Sequence, residues 1–455
     1  MKWLTRDRKF YRELLHLTSF IALQNLIACF VGLVDNVMIG AYSQEALSGV
    51  ALANQIQFFL QMLTGGVADG MAVIASQYWG TRRTDPIRRV VVLAVGFELL
   101  AGFCFLGVAQ TMPGTVLGWL TPDMASAAEG AKYMRIVSWS YPMFALTMLL
   151  VTAQRCVENV RVGMIASLSG LGLNILLNYA LIFGNLGCPE LGVEGAAWAT
   201  LAGRTVELGV ALFYTAKIDK KLQLRLHHFK TLDKVLLGDL LRVGTPVFLA
   251  SASWGVAMTV QTAILGHMEN AGSVIAANAI ANTLFQVITV VVYGLAGSSG
   301  VVIGKAVGRD DQEHLKEYVR TLQVLYVGVG LLTSALLLAF RPAILSLYSV
   351  TPEAYRMASD FIGVLCVTVI GTAYQCACLA GIVRGGGNTK FVFYNDLIFM
   401  WGIVLPLSLL AAFVFHWPAV WVFFCLKCDQ LLKCMVAVWQ VNSYHWVRKV
   451  TRARV

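Results

Sequence analysis

Apolar residues in this chain run in long blocks, with polar residues gathered into the gaps between them. Twelve blocks stand out: 14–39, 50–76, 90–110, 133–154, 163–183, 192–214, 243–265, 274–303, 322–340, 354–382, 392–415 and 417–438. Each is near or above the ~20 apolar residues a helix needs to cross a bilayer. The pattern predicts an all-α integral membrane protein of about twelve transmembrane helices.

Composition agrees. Hydrophobic residues make up 58% of the 455, charged residues 13%, and mean hydropathy is +0.69, whereas a soluble domain is nearer half apolar and about a quarter charged. The net charge of +10 does not point to nucleic acid, because the basic residues sit in short clusters between spans. Arg82, Arg83, Arg88 and Arg89 mark one gap, and Arg155 and Arg161 a second. The segment from Lys217 through Lys230 to Lys234 is the most basic. Lys305, Arg309, Lys316 and Arg320, then Arg384 and Lys390, then Arg448, Lys449, Arg452 and Arg454 follow. The intervening gaps, including Glu269–Asn270, hold few Lys or Arg. By the positive-inside rule both termini are cytoplasmic and the protein is a multi-pass component of the cell membrane. The basic N-terminus (Lys2, Arg6, Arg8) precedes an apolar run too long for a signal peptide, so the first span should be retained. The ten cysteines form no paired metal-binding spacing and read as free, core-like thiols. No HExxH, nucleophile–base pair or phosphate loop occurs, so neither an enzyme nor a cofactor is expected.

Charge inside the spans is the exception that suggests chemistry. Asp35 lies in the first span, and Gln24, Ala28, Gly32 and Asp35 fall on one helical stripe. A charge in hydrocarbon is costly by insertion scales, about 2.5–3.5 kcal/mol, and usually faces a protein-lined interior. Asn174 and Asn178, four apart on the fifth span, present two amide oxygens on one face. Asp69, in the second span, is a further coupling acid, a group that draws cationic substrates, or an acid in a wet gap between the lobes with no role. Arg204 with Glu207, and Asp429 with Lys433, have the spacing of pairs within one helix. Glu98 has no such partner, and Asp396 is expected to brace Arg384 or Lys390.

The two halves repeat. Residues 66–80 (beginning Gly-Val-Ala-Asp-Gly and ending Gln-Tyr-Trp-Gly) align with 294–308, glycines matching at both ends. Arg155 and Asn159 align with Arg384 and Asn388, and Gly40 with Gly266. Six spans per copy give a parallel repeat about an axis along the membrane normal. The expected organisation is an N-terminal six-helix lobe at 1–215, a cytoplasmic basic linker at 216–240 and a C-terminal six-helix lobe at 241–455, around a central cavity. Gln261 then occupies the position equivalent to Asp35, and Phe20 that of Pro246, which is read as opening the seventh helix.

These residues resemble the multidrug and toxic compound extrusion (MATE) family across nearly the whole chain. The resemblance is carried by 35–40 (Asp-Asn-Val-Met-Ile-Gly), Gln77-Tyr-Trp-Gly80, and the run from Asn174 through Asn178 to Gly184. It continues in 192–200, in Arg384-Gly-Gly-Gly-Asn-Thr-Lys390, and in Trp401 and Pro406. It implies an antiporter that exports drug-like, cationic and amphipathic small molecules in exchange for protons or sodium, acting as a monomer in the lipid bilayer. The alternative is a lipid or lipid-linked-oligosaccharide flippase of the related fold. The resemblance places ion coupling at Asp35, with Asn174 and Asn178 beside it, and a sodium ion would bind there. Relatives carry an acid where this chain has Asn178, which favours a proton. Gln24, Gln261 and Asp69 are the further candidates for substrate or second coupling groups.

Overall fold

The computed structural model describes residues 4–119, 123–225, 233–269, 271–345 and 351–452. Lys2, Lys230, Asn270 and Arg454, used above to orient the loops, lie outside them. Among the described residues the chain is helical throughout, with no strand. Helices α1 (Arg8–Tyr42), α2 (Gln44–Gly80) and α3 (Thr84–Thr111) open the chain. Next come a short helix, Pro113–Gly118, and α4 (Met124–Cys156), which tightens into one 3₁₀ turn at Ser138–Ser140. α5 (Arg161–Ile182) and α6 (Val193–Phe213) complete the first half. The second half holds α7 (Lys234–Gly266), α8 (Ala271–Arg309), α9 (Gln312–Leu345), α10 (Pro352–Val383), α11 (Thr389–Val414) and α12 (Ala419–Lys427 and Asp429–Ser443).

Ten of these helices are long and apolar enough to cross a membrane. The other two fall on expected spans: α6 carries Glu194, Arg204 and Glu207, and α12 is broken at Cys428 into segments of 9 and 15 residues. The fold class read from the sequence is therefore the one observed, an all-α multi-pass membrane protein.

Helix ends lie outside the apolar blocks because polar residues continue and cap the turns. Asp233 Oδ1 accepts from Val235 N (2.9 Å) and Leu236 N (3.2 Å), starting α7 nine residues before its apolar block. Pro246 consequently lies inside α7 instead of opening it. It leaves the carbonyl of Arg242 without its helical donor. Asp123 and Thr351 cap α4 and α10 in the same way.

The chain divides into two compact units. One holds the chain up to Ala22, the end of α2 at Ser76–Thr81, and the described chain from Ala252 on; the other holds Leu23–Ala75 and Arg82–Ser251. Three of the boundaries fall inside long helices, in α1, α2 and α7.

Within the first of these units, the repeated loop motifs have mechanical explanations. The end of α2 crosses the end of α8 with backbone against backbone: a Cβ on Gly80 would meet Lys305 O, and one on Gly308 would meet Gln77 O. Small residues allow that approach. Gln77, fully buried, then uses both ends of its amide on the C-terminal segment. It donates to Arg448 O (3.1 Å) and accepts from Val450 N (2.8 Å). The Gly385–Gly386–Gly387 run receives the same segment. Trp446, fully buried, occupies the space a Gly386 side chain would need, and Gly387 adopts φ +99° against Arg448 O. Arg448 N donates to Gly386 O (2.8 Å).

Asp396 is a correction. It accepts from Lys433 Nζ at 2.9 Å, and Lys433 also meets Asp429 at 3.2 Å, so the bracing runs to α12 and not to Arg384 or Lys390.

Gly386→Val should displace Trp446 and release the C-terminal segment, at a cost of about 1–3 kcal/mol for overpacking. Limited trypsin digestion in detergent would read this as faster cleavage at Arg448 and Lys449. Unchanged cleavage would mean that Trp446 does not hold the segment.

Candidate functional site

The polar cluster of the second unit is built on three helices. α5 and α6 lie close because Gly170 leaves room for the Glu207 side chain, whose Cγ is 2.5 Å from where a Cβ would be, and Gly203 faces Gly170 O. That approach brings Asn174 and Asn178 of α5 opposite Thr200 and Arg204 of α6. Asp35 enters from α1, with only 8% of its surface exposed.

Asn178 is the centre of the network. Its Nδ2 donates to Asp35 Oδ1 at 2.5 Å and to Asn174 Oδ1 at 3.2 Å, while Asn174 Nδ2 reaches Thr200 Oγ1 at 3.5 Å. Asn178 is fully buried, and its own Oδ1 has no hydrogen-bond donor among the described residues. An unpaired buried acceptor costs about 1–3 kcal/mol, so this oxygen marks a place where a proton or a cation would be welcome. Tyr133 of α4 stands beside Thr200 and in the field of Asp35.

Arg204 Nη1 pairs with Glu207 Oε2 at 2.8 Å, three residues on, as the spacing predicted. The guanidinium also lies over the Phe144 ring, 4.9 Å from its centre, and within electrostatic reach of Asp35. Thr200, Arg204 and Glu207 follow an i, i+4, i+7 pattern, one face of α6. That periodicity was available in the sequence. Reading Arg204 and Glu207 as a self-contained pair overlooked their place on the face that also carries Thr200.

Asp35, Asn174 and Asn178 are thus brought together. Gln24 is not: it lies against Gly163 at the start of α5, eleven residues and about 16 Å along α1 from Asp35. A shared stripe fixed its direction but not its depth. Asp69 is separated in the same way. Asp35 is about 10 Å from the end of α1, whereas Asp69 is about 37 Å beyond the adjoining start of α2. It lies in the field of Arg155 and beside Cys156. Gln261 belongs to the other unit, where its Nε2 donates weakly to Met400 Sδ at 3.3 Å. Glu98 on α3 is fully buried, and neither carboxyl oxygen has a partner among the described residues.

The cluster supplies one carboxylate, three amide or hydroxyl oxygens and one nearby guanidinium. Among the described residues no group of three or more His, Cys, Asp or Glu is placed to hold a metal ion. Such a set can bind and release a single positive charge.

A long helical membrane chain with a buried acid–amide cluster is the setting in which the comparisons give the family. The MatE family model matches residues 21–180 and again 246–410, and the chain belongs to that family. The double match falls on the two halves of the internal repeat. The uncharacterized transporter YisQ of Bacillus subtilis is 25% identical over 448 residues, covering 96% of this chain and 95% of YisQ. The multidrug resistance protein PmpM of Pseudomonas aeruginosa is 26% identical over 409 residues, covering 89% and 84%. In structure, the chain is similar to the eukaryotic MATE transporter AtDTX14, with a TM-score of 0.86 at 17% identity over 97% of each chain.

Glu207→Gln should leave Arg204 without its counter-charge and destabilise the protein, by as much as about 3–5 kcal/mol for breaking a buried pair. The double variant Arg204→Gln with Glu207→Gln should lose less than the sum of the two singles. A thermal-denaturation cycle in detergent checks this, and strict additivity would mean the pair contributes nothing.

Proposed function

We propose that this protein is a secondary antiporter that exports drug-like, cationic and amphipathic small molecules, driven by the inward movement of protons through Asp35. Its relatives' names and the family support multidrug export. The basic clusters between the helices support a cell-membrane location with both termini cytoplasmic. Six-helix lobes at 1–215 and 241–455, joined by the basic 216–240 segment, would be the moving bodies of an alternating-access cycle, with a monomer as the working unit.

The observation that carries the coupling reading is the unsatisfied Oδ1 of Asn178. With Asp35 ionised, the Asn178 amide points its N–H groups at Asp35 and Asn174 and leaves its oxygen idle. With Asp35 protonated, turning the amide end for end lets the carboxylic O–H donate to that oxygen. The two arrangements differ by one proton: the Asp35–Asn178 hydrogen bond reverses direction, and the turned amide no longer donates to Asn174 Oδ1 on α5. A proton can therefore favour one helix arrangement over the other. Differential binding of this kind is what coupling requires, since an ion with equal affinity for both states shifts nothing. Sodium at Asp35, Asn174 and Asn178 is the competing choice. One carboxylate beside the Arg204 guanidinium is a weak attractor for a metal cation, and this supports the proton.

Everted membrane vesicles, given a pH gradient and a sodium gradient separately, test the reading with a fluorescent cationic dye as substrate. Proton-driven efflux is expected, and Asp35→Asn should abolish it while leaving the protein inserted and folded. Efflux retained in that variant, or efflux driven by sodium alone, would overturn the assignment. Asn178→Asp, which supplies a second carboxylate, should add a measurable sodium dependence that the native protein lacks.

A further inference from the structure

The register position of Asp35 in the second half of the repeat is Gln261, and its surroundings have the opposite sign. Gln261 on α7, Asn278 and Asn282 on α8, and Phe423 and Lys427 on α12 line one small cavity of about 10 Å³, room for roughly one water-sized group. Lys427 is 91% buried. Its ammonium lies over two aromatic faces, 5.5 Å from the centre of the Phe285 ring and 5.7 Å from that of Phe423. Such contacts stabilise a cation without using its N–H groups.

Among the described residues, no hydrogen bond or ion pair reaches this ammonium. The nearest acid in sequence, Asp429, is already engaged by Lys433 at 3.2 Å and by the Gln430 amide at 3.0 Å. The amides around the cavity are underused as well. Asn282 Nδ2 donates to Asn278 Oδ1 at 3.1 Å, and Gln261 has only the Met400 sulfur as acceptor. A lysine inside a membrane-spanning helix normally pairs with an acid or faces a functional cavity. Here it faces a cavity lined with amides, with Met258, Leu265 and Leu426 among the apolar side chains of its wall.

We infer that Lys427, with Gln261, Asn278 and Asn282, forms a second ligand site, one that takes the carboxylate of an amphipathic organic molecule. One carboxylate oxygen fits the space, the ammonium supplies the counter-charge, and the amides supply further donors. The apolar wall suits the organic part of such a ligand. This site is independent of the Asp35 cluster, because it concerns binding and needs no ion gradient.

The test uses the purified full-length protein in lipid nanodiscs and two radiolabelled probes, 1-naphthoate and its methyl ester, which share a ring system and differ in charge. A charge-assisted hydrogen bond predicts that naphthoate binds at least about tenfold more tightly than the ester. Lys427→Met, which keeps the apolar stem, should erase that preference without weakening ester binding. Asn282→Asp, which puts an internal carboxylate in the cavity, should erase it too, and this variant decides the matter alone if Lys427→Met fails to fold. Equal binding of the two probes by the native protein, or a preference that survives either folded variant, would overturn the proposal. Lys427 would then be a structural cation held only by its two rings.

Discussion

The cost of a charge in hydrocarbon organises this structure. An unpaired ion in a span is expensive enough to demand either a partner or a task. Most of the intramembrane charges have partners: Asp35 takes the Asn178 amide, Arg204 takes Glu207, and Lys433 takes both Asp396 and Asp429. Those pairings tie α1 to α5 and α11 to α12, so the polar groups also position the helices. The helices in turn must approach closely enough for short side chains to meet. Gly170 is an instance: without a Cβ there, Glu207 can lie against α5 and still reach Arg204.

Much of the architecture was legible in the sequence because apolar run length is decisive in a membrane. A run of about twenty apolar residues has few other folds available to it. The helix ends were less legible. Caps such as Asp233 extend helices into polar sequence, and this moved Pro246 from the mouth of α7 to its interior. The site was legible where it depended on spacing within one helix. Asn174 and Asn178 were found because four residues make one turn. The distance of Gln24 and Asp69 from Asp35 was not legible in the same way, because periodicity gives direction around a helix and leaves depth to be worked out from length. Asp396 was misassigned because its partner, Lys433, is 37 residues away on another helix.

The repeated glycine motifs carried the family resemblance, yet in the structure they do no chemistry. Gly80 and Gly308 let the ends of α2 and α8 touch through their backbones. Gly386 admits Trp446, and Gly387 takes a backbone angle that favours glycine. A family resemblance resting on such positions reports a shared frame. Chemistry is set by the side chains between them. Asn178, whose amide meets Asp35, therefore bears on the chemistry of the site as no matched glycine does.

The repeat also makes the polar asymmetry of the two halves interpretable. Two copies of one frame place Asp35 and Gln261 at equivalent positions, each beside amides on a neighbouring helix. In the first half the amides of α5 meet the Asp35 carboxylate; in the second, the charge lining the cavity with the amides of α8 is the Lys427 ammonium. The amides serve either sign, since each has a donor end and an acceptor end. The two halves thus put amides beside charges of opposite sign. Lys427 was easy to pass over in sequence, lying two residues from Asp429 in a helix already rich in charge. Only the packing separates them: Asp429 belongs with Lys433, and Lys427 turns to the cavity.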